Sequence, residues 1–505
     1  MRKIFALGLS FMLITSSIYA AEGEMGYFGG ISSGIKLKTS TELAQTNTKK
    51  VSKYTLPYKE NVYLSGKAET VEGTIEIKPG KEMDKEAGVG SYTESYVMRG
   101  QNATNTTRVT RSITFETQYV YDATLKQAKK VSTVKKWSET VVANGTTYKL
   151  DSDKSSYTKS ILEDYTPGVL YYRGDVQYDA VYTAGSNSEV TVSVFGPIYG
   201  YEQAFAKSET QRRTITIDRG NGEGYSIEET PTYTVHRDIQ YDTNEPTAIS
   251  MSGNYKEIIR NEGALSYNIL QGSPILYDDE LSGMISVENT PTIEQLALPT
   301  NLNLQGHPAE TQIKKMYSMN IFNDNAATFS PNQVVTKGEY IRMLVTALQI
   351  ELPEDTTAKK GSSGTSKKKK VEVSPFTDIR ETDPNYRYAV AAYNAGLISG
   401  GTFGGSTYLT REMMYLYNIR AIGLERLGLA TMDAYTPFID DKEISSWAKS
   451  SLYAASKLGI ITVSNGYIFP KKYVTKAECA TFLDQFIDYL RYDLQKDYND
   501  KMLIN

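Results

Sequence analysis

The chain has 505 residues, room for several domains, with 55 basic and 59 acidic side chains and a formal net charge of −4. That balance, with a pI near 5.6, argues against a nucleic-acid partner, whose phosphates demand a basic footprint. The one cysteine, Cys479, rules out an intrachain disulfide and lies on an apolar helical face, where it reads as a packing residue.

Residues 1–20 come first in chain order. Arg2 and Lys3 precede an apolar run from Ile4 to Ile14, and Ile18-Tyr19-Ala20 offers small-residue cleavage. This is the pattern of a secretory signal peptide cut after Ala20. No later stretch has the apolar length of a membrane span, so the exported chain is expected to need another device to stay at the cell surface.

Residues 21–292 alternate polar with β-branched or aromatic residues, as in Gly73-Thr74-Ile75-Glu76-Ile77-Lys78, Arg111 to Glu116 and Glu189 to Val194. Period-two patterning marks half-buried antiparallel strands. Asn144-Gly145 is a two-residue hairpin signal, and Gly220 to Gly224 reads as a longer hairpin loop. The region is therefore expected to be all-β and sandwich-like, with a division near Thr166-Pro167-Gly168. Tyrosine is abundant, 39 residues against 14 Phe. Tyr171, Tyr172, Tyr178, Tyr182, Tyr199 and Tyr201 cluster in a short span. They either stack on glycans, make subunit contacts, or cover a sheet with an apolar body and a polar tip.

Chemistry is sparse here. A histidine-based zinc site or triad would have to use His236 or His307, neither set in a motif. Gly30-Ile31-Ser32-Ser33-Gly34 fits Gly-x-Ser-x-Gly but lacks the strand and helix of a nucleophile elbow. Gly220 to Gly224 lacks the Asp pattern of calcium-binding glycine repeats. No catalytic residue, metal ligand or cofactor is assigned, and calcium has no support. A glycosidase needs only two carboxylates, and nothing singles out a pair.

After a linker at 293–301, the period changes to helical. Three units are expected, at 302–353, 374–432 and 436–492, with a Lys/Ser/Gly insertion at 354–373 that reads as a solvated loop or a grip on an anionic polymer. Each unit ends in a helix opened by Thr-basic-x-Glu or a close variant. Thr336 with Glu339, and Thr475 with Glu478, spell capping boxes, whereas Thr410 is followed by Glu412 one place early and Met413 in the box position. The preceding helices are expected from about Pro308, Pro384 and Trp447, with Asp383 and Ser446 as caps. They stop where Asn320, Gly396 and Gly459 can turn left-handed. Units this small must stack to bury their cores.

Residues 302–492 resemble a triplet of S-layer homology repeats. Phe376-Thr377-Asp378 and Phe438-Ile439-Asp440 match the family's Phe-x-Asp, Ser446-Trp447-Ala448 its His-Trp-Ala, and the three boxes its Thr-Arg-Ala-Glu. The resemblance implies an all-α pseudo-threefold bundle that binds anionic, often pyruvylated, secondary cell-wall polysaccharide non-covalently. It also implies a surface-layer location on a Gram-positive-type envelope. Lys337, Arg411 and Lys476 each place a cation beside a helix start, where free N–H groups favour an anion, and Trp447 can stack on a sugar or pack in the core. The expected whole is a secreted multidomain surface protein, with self-association in a surface lattice as a further partner left open. A wall-anchored carbohydrate-active enzyme and a glycan-binding adhesin remain the alternatives.

Overall fold

Alternating residues become long strands because each hairpin leaves one edge open for the next. The computed structural model describes residues 30–34, 37, 39, 53–81, 83–185, 188–220, 224–241, 255–271, 281–299, 301–353, 374–428 and 435–498. The expected signal peptide and the 354–373 insertion lie outside the described residues.

The strands are β1 Gly30–Ser32, β2 Tyr54–Val62, β3 Glu69–Lys78, β4 Val89–Gln101, β5 Arg108–Asp122, β6 Gln127–Ala143, β7 Thr146–Leu150, β8 Ser156–Tyr165 and β9 Val169–Ala184. There follow β10 Ser188–Gln203, β11 Ala206–Gln211, β12 Arg213–Asp218, β13 Gly224–Tyr241, β14 Tyr255–Gln271, β15 Ser282–Glu288 and β16 Thr292–Leu296. They form one 16-stranded antiparallel sheet in the order β1-β2-β3-β4-β5-β6-β7-β9-β10-β11-β13-β14-β15. β8 lies between β6 and β9, β12 between β10 and β13, and β16 beside β14. A single sheet thus replaces the two-sheet sandwich that the alternation suggested. It still makes a core, because its ends meet: the Tyr63 hydroxyl, just after β2, donates to Glu229 Oε1 of β13 at 2.8 Å. At Gly263 of β14 a β-carbon would stand 2.4 Å from the Ser32 carbonyl oxygen of β1, so only glycine permits that approach. Val62, Ile75, Ile113, Trp137, Tyr178, Val192 and Ile217 fill the space between.

The expected hairpin at Asn144-Gly145 is present, with φ of 47° and 79° at the two residues, as a tight turn between β6 and β7 requires. The supposed division near 166 is also a hairpin. β8 and β9 pair without interruption up to Tyr165 and Leu170, so no boundary falls there. The linker reading fails as well: Thr292–Leu296 pairs with β14, and Leu296 is buried against Ile239 and Tyr255.

Among the described residues the helices begin at 310. They are α1 Glu310–Ser318, α2 Lys337–Ala347, α3 Tyr386–Ala395, α4 Arg411–Ala421, α5 Ser446–Lys457 and α6 Lys476–Asp488. A π-helical turn, Tyr489–Asp493, leads into α7 Leu494–Asp497. Asn320, Gly396 and Gly459 have φ of 57°, 86° and 71°, the left-handed stops expected of them. The start caps differ. Ser445, not Ser446, is the cap of α5, and Asp383 accepts from Asn385 N–H (2.8 Å) just before α3.

The two regions are not separate bodies. Lys126 Nζ donates to the Asn394 carbonyl near the end of α3 (2.8 Å), Gly168 N–H to Ala421 ending α4 (2.7 Å), and Gln203 Nε2 to Leu490 beyond α6 (2.8 Å). Tyr171 adds a hydroxyl to the Ile422 carbonyl at 3.0 Å. Helix ends leave carbonyls without intrahelical partners, and here the sheet's turns supply donors. Val169, Tyr171, Tyr201 and Phe205 share one apolar cluster with Ile313, Leu344, Ala421 and Leu494.

Burial settles the tyrosine cluster. Tyr171, Tyr172, Tyr178, Tyr182 and Tyr201 are buried and only Tyr199 is partly exposed, so they cannot form a glycan platform. Buried phenols need acceptors, and carboxylates provide them: Tyr172 donates to Glu209 (2.6 Å) and Tyr58 to Glu60 (2.5 Å). Arg111 grips Glu139 through Nε and Nη2 (2.8 Å each) and Glu60 through Nη1 (2.9 Å), all three side chains sealed from solvent. Burial lifts the Glu60 carboxyl above its ordinary range, with Arg111 pulling it back down. These buried carboxylates hold the sheet together.

Candidate functional site

The site grows from the way the helical units join. Val335 N–H donates to the Val474 carbonyl (2.9 Å), Val474 N–H to Leu409 (3.0 Å) and Leu409 N–H to Val335 (2.9 Å), a closed circuit. The residues after each capping Thr extend it. Lys337 N–H donates to Thr407 O, Arg411 N–H to Lys472 O and Lys476 N–H to Gln333 O. Gly338, Glu412 and Ala477 donate likewise to Gly405, Pro470 and Pro331. Each helix start is therefore clasped by the loop of another unit. Thr336 and Thr475 complete their capping boxes with Glu339 and Glu478. Thr410 makes no side-chain cap, and its buried hydroxyl has no hydrogen-bond partner.

The clasping loops are themselves held by the Phe-x-Asp motifs. Asp378 accepts from Phe403 N–H (2.6 Å) and Gly404 N–H (2.7 Å), bonds that hold its carboxyl below the usual range. Asp440 accepts from Ile468 N–H (3.2 Å) and Phe469 N–H (2.7 Å). The misplaced Glu412 also finds its purpose here. Its carboxylate accepts from Ser445 N–H (3.0 Å) and Ser445 Oγ (3.0 Å), capping α5 from another helix, and pairs with Lys471 at 2.6 Å.

The three cations occupy matching positions over the incoming loops, but not as exposed charges at open helix starts. Lys337 Nζ donates to the Phe403 carbonyl (2.5 Å) above the Phe403 ring, and burial lowers its ammonium pKa, opposed by Asp378. Arg411 donates to the Ile468 carbonyl (3.1 Å) and pairs with Glu478 (3.3 Å), its side chain 18% exposed. Lys476 is 3% exposed and pairs with Asp324 at 2.7 Å, over the Phe329 ring. The free N–H groups invoked from sequence are taken by loop carbonyls, and Lys476 is a junction residue rather than an exposed one. Its partner lies 152 positions away, beyond the reach of local patterning.

Trp447 is 50% exposed, so it is not a core residue. It stands two residues after Ser445, whose N–H and hydroxyl donate to Glu412, the residue that follows Arg411 in the chain. Phe469 (46% exposed) stacks on Tyr467 beside the same loop. Sequence reasoning overlooked the exposed Tyr408 and Tyr473, which precede the box Thr by two places in two units; that repetition was readable. Elsewhere, Ser32 of the Gly-x-Ser-x-Gly stretch lies buried in β1, and Cys479 is buried in α6. His307 Nδ1 accepts from Ala309 N–H at 3.1 Å before α1, and His236 sits in β13.

The family model described as the S-layer homology domain matches residues 304–341 and 375–412. The chain carries S-layer homology domains at these two stretches. Over 205 residues it is 28% identical to exoglucanase XynX of Acetivibrio thermocellus, covering 36% of this chain and 17% of that protein. Over 158 residues it is 31% identical to an amylopullulanase of Thermoanaerobacterium thermosulfurigenes, covering 31% and 8% respectively. Over 153 residues it is 29% identical to an endoglucanase of Bacillus sp. (strain KSM-635), covering 28% and 15%. The chain spans less than a fifth of the length of each of these relatives. No described helix is long and apolar enough to cross a membrane.

Proposed function

We propose that three S-layer homology units, the third at 436–492, close in a pseudo-threefold bundle and hold this exported protein on anionic wall polysaccharide. The β region then serves as a structural component of a surface layer. The observation carrying this reading is the closed circuit through Val335, Leu409 and Val474. It gives the third unit the same clasped helix start as the two that the family model matches. Arg411 and the exposed Trp447 are the side chains best suited to an acidic sugar: a guanidinium can grip a carboxylate in two places, and an exposed indole can stack on the ring. Lys337 contributes more weakly from its own cleft, and Lys476 serves the junction.

A second reading, a wall-anchored carbohydrate-active enzyme, draws on the exoglucanase, amylopullulanase and endoglucanase names of the relatives. Each match leaves nearly two-thirds or more of this chain uncovered, and the carboxylates described in the sheet core are locked to arginine and tyrosine. Binding of the full chain to purified walls, intact and stripped of secondary polymer, tests the anchoring. Arg411→Ala with Trp447→Ala is expected to weaken binding about tenfold or more, while Lys476→Met lowers the melting temperature and leaves the binding of folded protein intact. Equal binding to intact and stripped walls would end the reading.

A further inference from the structure

The ring of helix starts contains its own control. Two residues ahead of each capping Thr stand Val334, Tyr408 and Tyr473. The two tyrosines are each 53% exposed, although the residues that follow them, Leu409 and Val474, are fully buried in the circuit. Their backbones are fixed, since Tyr408 bridges Thr336 and Tyr473 bridges Thr410. Their rings stand 5.4 Å apart with planes tilted by 58°, a V open to solvent. Ring closure does not require an aromatic there, because the first unit closes the same circuit with Val334.

Resting on the anchoring reading, we infer that Tyr408 and Tyr473 form an aromatic seat for an uncharged pyranose ring of the wall polymer, separate from the cation-bearing clefts. A sugar ring presents a C–H face that loses water favourably against an aromatic, while the phenol tips stay wet. Fixed backbones and rigid side chains with only two rotatable angles keep the ordering cost low. Arg411 and Lys472, the cations nearest in sequence, are both bonded to Glu478 Oε1 and not to either phenol, so the seat itself carries no charge and suits a neutral ring. A second protein copy is a poorer occupant. Two half-exposed tyrosines offer on the order of 200 Å², far below the roughly 800 Å² per partner of a standard interface.

The test uses the full chain with Tyr408→Val and Tyr473→Val together, copying the first unit, and with Tyr408→Phe and Tyr473→Phe together. The valine pair is expected to bind intact walls about tenfold more weakly with an unchanged melting temperature, and the phenylalanine pair to stay within about twofold of the unsubstituted chain. Unchanged binding by the valine pair overturns the seat and leaves the anchoring reading standing. So does a phenylalanine pair that falls as far as valine, or a valine pair that alters sedimentation but not wall binding. If the unsubstituted chain cannot tell intact from stripped walls, both inferences fall together.

Discussion

The sheet and the helical ring satisfy their buried polar groups by opposite routes. In the sheet the ladder consumes the backbone, so the polar side chains in the core must answer one another: Arg111 with Glu60 and Glu139, Tyr63 with Glu229. In the ring, helix geometry leaves the first N–H groups over, and loop carbonyls of other units take them. Side chains are bound up in structure in the first case. In the second, backbone does much of the joining, and Trp447, Tyr408 and Tyr473 remain turned to solvent.

The sharpest way to break the comparison is Arg111→Ala. It leaves two buried carboxylates facing each other without their cation, and the expected loss is about 3–5 kcal/mol by denaturant unfolding. A loss under 1 kcal/mol would mean the sheet does not depend on that grip. Glu229 comes next. Burial pushes its carboxyl up to about 8, against the pull of Arg213. The folded chain therefore holds that proton more tightly than the unfolded one. The stability it contributes is fully present below the ordinary value of 4.5 and is lost as pH climbs through about 8. Glu229→Gln should flatten this fall: the variant's melting temperature, set against that of the unsubstituted chain, rises between pH 5 and pH 9. An unchanged difference across that range would show that the carboxyl is not held protonated. The smallest effect separates two caps in the ring. Thr336→Val should cost about 1 kcal/mol by removing a capping box, whereas Thr410→Val should be neutral or slightly stabilising, since it removes an unpartnered buried hydroxyl.

What could be read from sequence follows the range of the interactions. The boxes at Thr336 and Thr475, the left-handed stops at Asn320, Gly396 and Gly459, and the turn at Asn144-Gly145 are local, and each was legible within a few residues. The pairing of Lys476 with Asp324 and the capping of Ser445 by Glu412 join distant units, so the motif revealed the residue but not its partner. Thr166-Pro167-Gly168 misled for a related reason. Turn chemistry announces a reversal, and only the register of β8 with β9 distinguishes a hairpin from a boundary. The tyrosine cluster misled because alternation states which residues share a face, not which face is covered.

The sealing of the helix carbonyl ends has a mechanical consequence. Lys126 and Gly168 sit at the near ends of β6 and β9, whose seventeen and sixteen residues run away from the helices for roughly 50 Å. A tug on the far tip, at the Asn144-Gly145 hairpin, loads those strands lengthwise and reaches the helices through many bonds sheared together. Direct bonds rather than a slack tether join the described sheet turns to the helix ends, so drag on the outer tip passes to the clasped helix starts, which sets how strong their hold on any anchor has to be.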